Sequence, residues 1–275
     1  MARISRILVE TVKLRASMSN AAVNFAGLTG SIVAVFAEVG DGRGECVGYG
    51  FGSIGRYAHT ELIKERFAPR LLNSDPSEYC DEEGRLDPVR VEAIMRRDEK
   101  PGGHGERPVA IGAVDMAVWD LIGKLERKPV FQILSERFNG SSMDNSVSVY
   151  AAGGYYYGDG GLGRLKEELE GYLSLGYDAV KIKIGAGSVQ EDRERIEAAI
   201  DCVGEGASVA VDANGRYDCE TAIAVGEAIE GYGLRWYEEA GDPLDYRLQN
   251  SLGKTYKGAL ATGENLFSIQ DVRNL

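Results

Sequence analysis

Histidine is almost missing from this chain: its 275 residues hold two, His59 and His104. Cysteine is sparse as well, and Cys46, Cys80, Cys202 and Cys219 form no C-x-x-C pair and have no histidine at metal-ligand spacing. A Cys/His metal site and a disulfide framework are therefore not expected, and reduced thiols in a cytoplasm are the default. Positive charge is the minority sign. Against 43 Asp and Glu stand 31 Lys and Arg, a net charge of −12, which argues against nucleic acid and anionic membrane as partners. Long apolar runs are lacking too: Glu10 and Lys13 follow Ile7-Leu8-Val9 too closely for a secretory signal or a transmembrane helix. Glycine, by contrast, is plentiful at 36 residues, roughly twice the usual share. No Gly-x-y period accompanies it, so collagen is excluded and many tight turns are expected. With 44% hydrophobic residues the chain can bury a core, as one large domain or two ordinary ones.

Two patterns divide the chain. In the first half, residues 4–15, 30–39 and 46–51 read as strands, the last two joined by a Gly-rich turn at 40–44. Helices are expected over 59–72, 88–97 and 109–125, with a break at Lys100-Pro101-Gly102-Gly103. From Ser146 onward strands and helices alternate. Strands are expected at 146–150, 177–184, 207–212, 234–238 and 259–263, each followed by a helix. Five βα units imply a parallel sheet; a doubly wound sheet and a (β/α)₈ barrel both fit the alternation.

Charged groups collect at the ends of the later strands. They finish as Val180-Lys181-Ile182-Lys183, Val211-Asp212-Ala213-Asn214, Trp236-Tyr237-Glu238-Glu239 and Gly263-Glu264-Asn265. In a parallel barrel the C-terminal strand ends carry the chemistry. Side chains alternate along a strand, so Lys181 and Lys183 share the face opposite to Ile182 and Ile184. Asp212, Glu238 and Glu264 are 26 residues apart at each step, which places them at equivalent heights. Three hard oxygen ligands without His or Cys suit Mg²⁺. Glu239 should point to the opposite face, in a structural or supporting role. A lone K-x-K is usually a solvated strand face, and a lone acid at a strand end is often a helix N-cap. Two inward lysines and three evenly spaced carboxylates together are not explained that way.

On these motifs the sequence resembles the enolase superfamily, in its mandelate racemase branch. The resemblance implies a capping domain of antiparallel strands and helices at 1–135, then a (β/α)₈-type barrel domain at 136–275 carrying a Mg²⁺ site. It further implies a reaction in which a base removes the proton α to a substrate carboxylate and the enediolate charge is stabilised by the metal. Lys183 would be the base, its pKa depressed by Lys181 and the metal. Lys181 would lie near the substrate carboxylate, and Asn214 near the metal or the carboxylate oxygens. Within the branch, residues 97–107, Gly48-Tyr49-Gly50-Phe51 and Gly55-Arg56-Tyr57 are similar to the D-tartrate dehydratase group, which implies a hydro-lyase converting D-tartrate to oxaloacetate. The far carboxylate of such a substrate needs a cation, for which Lys100 is the candidate, with His104 and Arg56 behind it. His59 reads as a structural or surface residue. Other acid-sugar dehydratases, a racemase or epimerase of the same branch, and a non-catalytic truncated relative remain as alternatives. The expected partners are a small acid-sugar substrate and further copies of the chain in a homo-oligomer.

The sequence departs from the branch in two respects. The branch places a histidine, oriented by an aspartate, on later barrel strands, whereas His59 and His104 both precede the barrel. Residues 136–275 also fall well short of the roughly 250 of a complete barrel. Five strands of eight would leave two open edges. The favoured account is a recorded part of a longer protein, with a truncated gene or a completing partner chain as the others. The general acid for hydroxyl departure has no assigned residue.

Overall fold

In the computed structural model, residues 1–39, 44–52, 57–100, 105–157 and 161–275 are described. They fall into two units: Met1–Leu14 with Gly27–Ser146, and Arg15–Ala26 with Val147–Leu275. Arg56, His104 and nearly all of the Gly-rich turn at 40–44 lie outside the described residues.

The chain opens with β1 (Ala2–Lys13), passes through β2 (Met18–Ser19), and returns as β3 (Thr29–Val39) and β4 (Gly44–Gly52). β1, β3 and β4 form an antiparallel sheet with β3 at its centre. Alternation along β3 sorts its side chains: Val33, Val35 and Ala37 are fully buried, while Ile32 is exposed. Six helices follow, α1 (Tyr57–Leu62), α2 (Ala68–Leu72), α3 (Pro76–Tyr79), α4 (Pro88–Met95), α5 (Glu106–Glu126) and α6 (Val130–Phe138). The single helix expected over 59–72 is interrupted by a π turn at Ile63–Phe67. That turn widens the ladder just before Pro69, which has no N–H to donate. The short α3 escaped the periodicity because it is set by its ends, a capping box between Asp75 and Glu78. The small face of α5 lies against the sheet. A Cβ at Gly50 would come within 2.2 Å of the Ala113 carbonyl oxygen, so only a glycine lets β4 and α5 approach this closely.

The second unit contains β5 (Ala151–Ala152), β6 (Tyr156–Tyr157), α7 (Gly161–Ser174), β7 (Val180–Lys183), α8 (Val189–Val203), β8 (Val209–Asp212), α9 (Cys219–Ile229), β9 (Trp236–Glu238), α10 (Tyr246–Thr255), β10 (Leu260–Ala261) and α11 (Ile269–Asn274). Its main sheet runs β5-β7-β8-β9-β10, all parallel. Spatial order equals sequence order, with no reversal. That is how a barrel wall is laid down, and it lacks the switch point of a doubly wound sheet. The strand expected at 146–150 is displaced. Val147 and Val149 are exposed, and pairing with β7 begins only at Ala151. Residues 15–26 join this unit through β2, which pairs antiparallel with β6, Met18 opposite Tyr157. Among the described residues no helix is long and apolar enough to cross a membrane.

One half-buried charge in the first unit makes a pH-dependent contribution. Asp115 on α5 is pushed up to about 6 by burial and then by the charge of Glu92, partly offset by a hydrogen bond to Trp119. Its folded value lies above the ordinary 3.8, so its contribution to stability is best at acid pH and is lost as pH rises through about 6. Asp115→Asn should flatten this dependence. Denaturant titrations from pH 4 to 7 should show the variant gaining on the wild type by up to about 3 kcal/mol; a pH-independent difference would remove Asp115 as the cause.

Candidate active site

Strand register builds the centre of the site. Lys183 lies opposite Asp212 on β8, and Asp212 lies opposite Glu238 on β9. These three side chains, with Lys181, form one row on the inner face of the sheet. Lys183 Nζ donates to Asp212 Oδ2 at 2.6 Å. Lys181 Nζ donates to Glu238 Oε1 at 2.7 Å and is 3.4 Å from Asp212 Oδ2. Both lysines are buried and Asp212 is wholly so. Burial alone would pull the Lys181 amine down, but its bond to Glu238 and the charge of Asp212 prevail and raise it. Glu238 also accepts from the Trp236 indole at 2.8 Å. Asp212 Oδ1 accepts from the Asn214 backbone N–H at 2.8 Å. Every charge removed from water here has an opposite charge beside it, which keeps the desolvation cost tolerable.

Glu264 follows β10 and is the most open of the three carboxylates. Protein crowding on one side and the Asp212 charge raise its carboxyl, while Lys181 and Lys183 draw it back down. Glu239 does not behave as strand alternation predicts. β9 stops at Glu238, and Glu239 turns into the left-handed region at φ 41°. Its buried carboxylate accepts from Asn265 Nδ2 at 2.9 Å. Burial pushes it up to about 7, helped by the charges of Glu264, Asp212 and Glu238 and opposed by Asn265.

Among the described residues, no three His, Cys, Asp or Glu side chains close into a metal cluster. The Lys181 ammonium stands between Asp212 and Glu238, the place a cation between them would take. The donor chemistry nonetheless fits a hard divalent cation. The oxygens are carboxylates, and among the described residues the buried Asn214 Oδ1 and Thr262 Oγ1 have no hydrogen-bond partner. Of the substrate-binding candidates, Asn214 is at the row. Lys100 is exposed in the other unit, where its carbonyl accepts from Arg107.

Around the row lies a frame that the motifs did not reveal. Gly154 sits at φ 61°, and a Cβ there would meet Ile182 Cβ at 2.7 Å. Its N–H donates to Glu168 on α7 at 3.2 Å, and its carbonyl accepts from Lys183 N and from the buried Arg195 guanidinium. Arg195 Nε also donates to the Lys183 carbonyl at 3.1 Å. Asp192, one turn earlier on α8, accepts from Gly185 N at 3.0 Å and from the Tyr217 hydroxyl at 2.6 Å. A signal did exist. Asp192, Arg195, Ile196 and Ala199 share one helical face, so two charges sit on a stripe that is otherwise apolar and buried. Arg195→Met should leave two buried carbonyls short of a charged donor. Urea unfolding should show a loss of about 3 kcal/mol; an unchanged midpoint would mean that Arg195 does not hold the end of β7.

Known proteins share this fold and part of this sequence. Residues 164–275 match the family described as enolase C-terminal domain-like. Arabinonate dehydratase of Saccharolobus solfataricus is 34% identical over 213 residues, which make up 76% of this chain and 52% of that protein. A racemase from Streptomyces coelicolor A3(2), crystallised with bound magnesium, has the same fold at a TM-score of 0.80 and 26% identity, over 98% of this chain and 72% of that one. L-talarate/galactarate dehydratase from Salmonella typhimurium LT2, liganded with Mg and L-lyxarohydroxamate, gives 0.75 and 25%, over 96% and 65% of the two chains. The chain spans about half the length of the curated relatives it matches. The antiparallel N-terminal sheet, the parallel strands in sequence order and the matched C-terminal region together give this chain the fold of the enolase superfamily and a likeness to its branch of mandelate racemase and muconate lactonizing enzyme.

Proposed function

We propose that this protein acts on an acid sugar, removing the proton α to the carboxylate and then expelling a hydroxyl as water. The observation that carries this reading is the pair of buried lysines on the inner face of β7, held against Asp212 and Glu238. Burying an amine at a strand end of a β/α sheet is costly even when it is ion-paired, and such buried charged groups cluster at functional sites. Asp212, Glu238 and Glu264 would hold a Mg²⁺ ion, with the unpartnered Asn214 amide oxygen beside it. Bound there, the ion would supply positive charge to the substrate carboxylate and to the enediolate.

Lys183 is the base in this scheme. Its Nζ takes the α-proton as the neutral amine, after it has left Asp212 and given up one proton. Lys181 stays charged, as its carboxylate partners favour, and lies beside the substrate carboxylate.

The names of the relatives shift the substrate expectation. Arabinonate and talarate or galactarate dehydratases stand among them, so pentonic and hexaric acid sugars come first. D-tartrate, which the loop segments suggested, keeps a place only as a further candidate. A second reading, proton transfer to and from the same carbon without loss of water, is favoured by the racemase among the similar structures.

One assay separates these readings. The chain is incubated with Mg²⁺ and a panel of acid sugars in D₂O, and keto-acid formation and deuterium at the α-carbon are followed together. Keto acid that disappears with EDTA supports the dehydratase. Deuterium with inversion and no keto acid supports the racemase reading. Lys183→Ala should lower α-proton exchange by about 10²–10⁴-fold; exchange at the wild-type rate would exclude Lys183 as the base.

A further inference from the structure

Water loss needs a proton at the departing hydroxyl, and the scheme above assigns that role to neither lysine. Three consecutive tyrosines, Tyr155, Tyr156 and Tyr157, follow Gly154 at the end of β5. Two of their hydroxyls serve the protein. Tyr156 accepts from Ala186 N at 3.2 Å and reaches Asp192, and Tyr157 donates to Glu168 at 3.1 Å. The nearby Tyr217 hydroxyl is given to Asp192. Tyr155 differs: among the described residues its hydroxyl has no hydrogen-bond partner, and its ring faces the base, with Lys183 Nζ 5.3 Å from the ring centroid. The ring is held in place by Phe25 of the incoming segment, edge-to-face at 5.6 Å. Its backbone is fixed by the Glu168 and Arg195 bonds to Gly154.

We propose that Tyr155 is a further catalytic residue, donating the proton to the hydroxyl that leaves the β-carbon. This rests on the dehydratase reading above. Lys183 takes the α-proton and its C–H electron pair passes to the enediolate. As the carboxylate re-forms, that pair becomes the Cα–Cβ double bond, the Cβ–O bond breaks, and the departing oxygen takes the phenolic proton to leave as water. The enol tautomerises to the keto acid. Passage of the proton from the Lys183 ammonium to the Tyr155 phenolate restores both groups.

Tyr155→Phe removes the proton and keeps the ring, so the Phe25 contact survives. On the acid sugar that the wild type dehydrates, the full chain with Mg²⁺ in D₂O should show α-deuterium exchange within about twofold of the wild type. Keto-acid formation should fall by about 10²–10⁴-fold. Thermal unfolding of the variant, expected to match the wild type, checks the fold. Keto acid at the wild-type rate would overturn the proposal. So would exchange and water loss falling together, since that marks a residue that only places Lys183. A wild type that neither exchanges nor dehydrates any acid sugar would instead refute the dehydratase reading, and this proposal with it.

Discussion

The contact between Lys183 and Asp212 is the one on which the rest of the site depends. It is a charge pair shut away from water, and such a pair is tolerated only where geometry and further hydrogen bonds compensate both ions. Here the compensation comes from strand register. Lys183, Asp212 and Glu238 are neighbours across three parallel strands, so sheet pairing itself brings amine to carboxylate. Lys181 completes the balance by bridging Asp212 and Glu238. The same pairing that holds the sheet together therefore assembles the chemistry, and a slip of one residue in β7 would send both lysines to the helix side.

A second layer keeps that register in place. Asp192 and Arg195 leave the apolar face of α8 to grip the backbone at the end of β7, one at the Gly185 N–H and the other at the Lys183 carbonyl. Glu168 does the same for Gly154 from α7. Helices in this unit thus do more than cover the sheet. Three of their charged side chains act as fixed donors and acceptors for backbone that has left the strand ladder, where unpaired polar groups would otherwise be costly.

Much of this could be read from residue order. The K-x-K alternation and the even spacing of Asp212, Glu238 and Glu264 gave the inner face and the shared height, because both follow from rules of period two and of repeated βα units. The failures have physical causes as well. Glu239 was assigned a face by alternation, but the strand ends one residue earlier and the backbone there is left-handed, so the period-two rule no longer applies to it. The β-branched run at 146–150 looked like a strand, yet pairing starts at Ala151, since propensity does not choose the partner. Tyr155 was invisible for a different reason. Nothing in Tyr-Tyr-Tyr says which hydroxyls the protein will use, and that is decided by Glu168 and Asp192, which come from elsewhere in the chain.

The excursion of residues 15–26 into the second unit has a consequence for how the chain reaches its native state. β2 and β6 pair across more than half of the sequence, and Phe25 meets Tyr155 over a similar span. Closing so long a loop is entropically expensive and gains nothing until both ends are ordered. The N-terminal sheet and the parallel strands can each consolidate locally, whereas the wall that holds Tyr155 is completed only when these distant segments meet. Chain connectivity thus makes this part of the site a late event, so that the interior carrying the buried lysines can form before its mouth is finished.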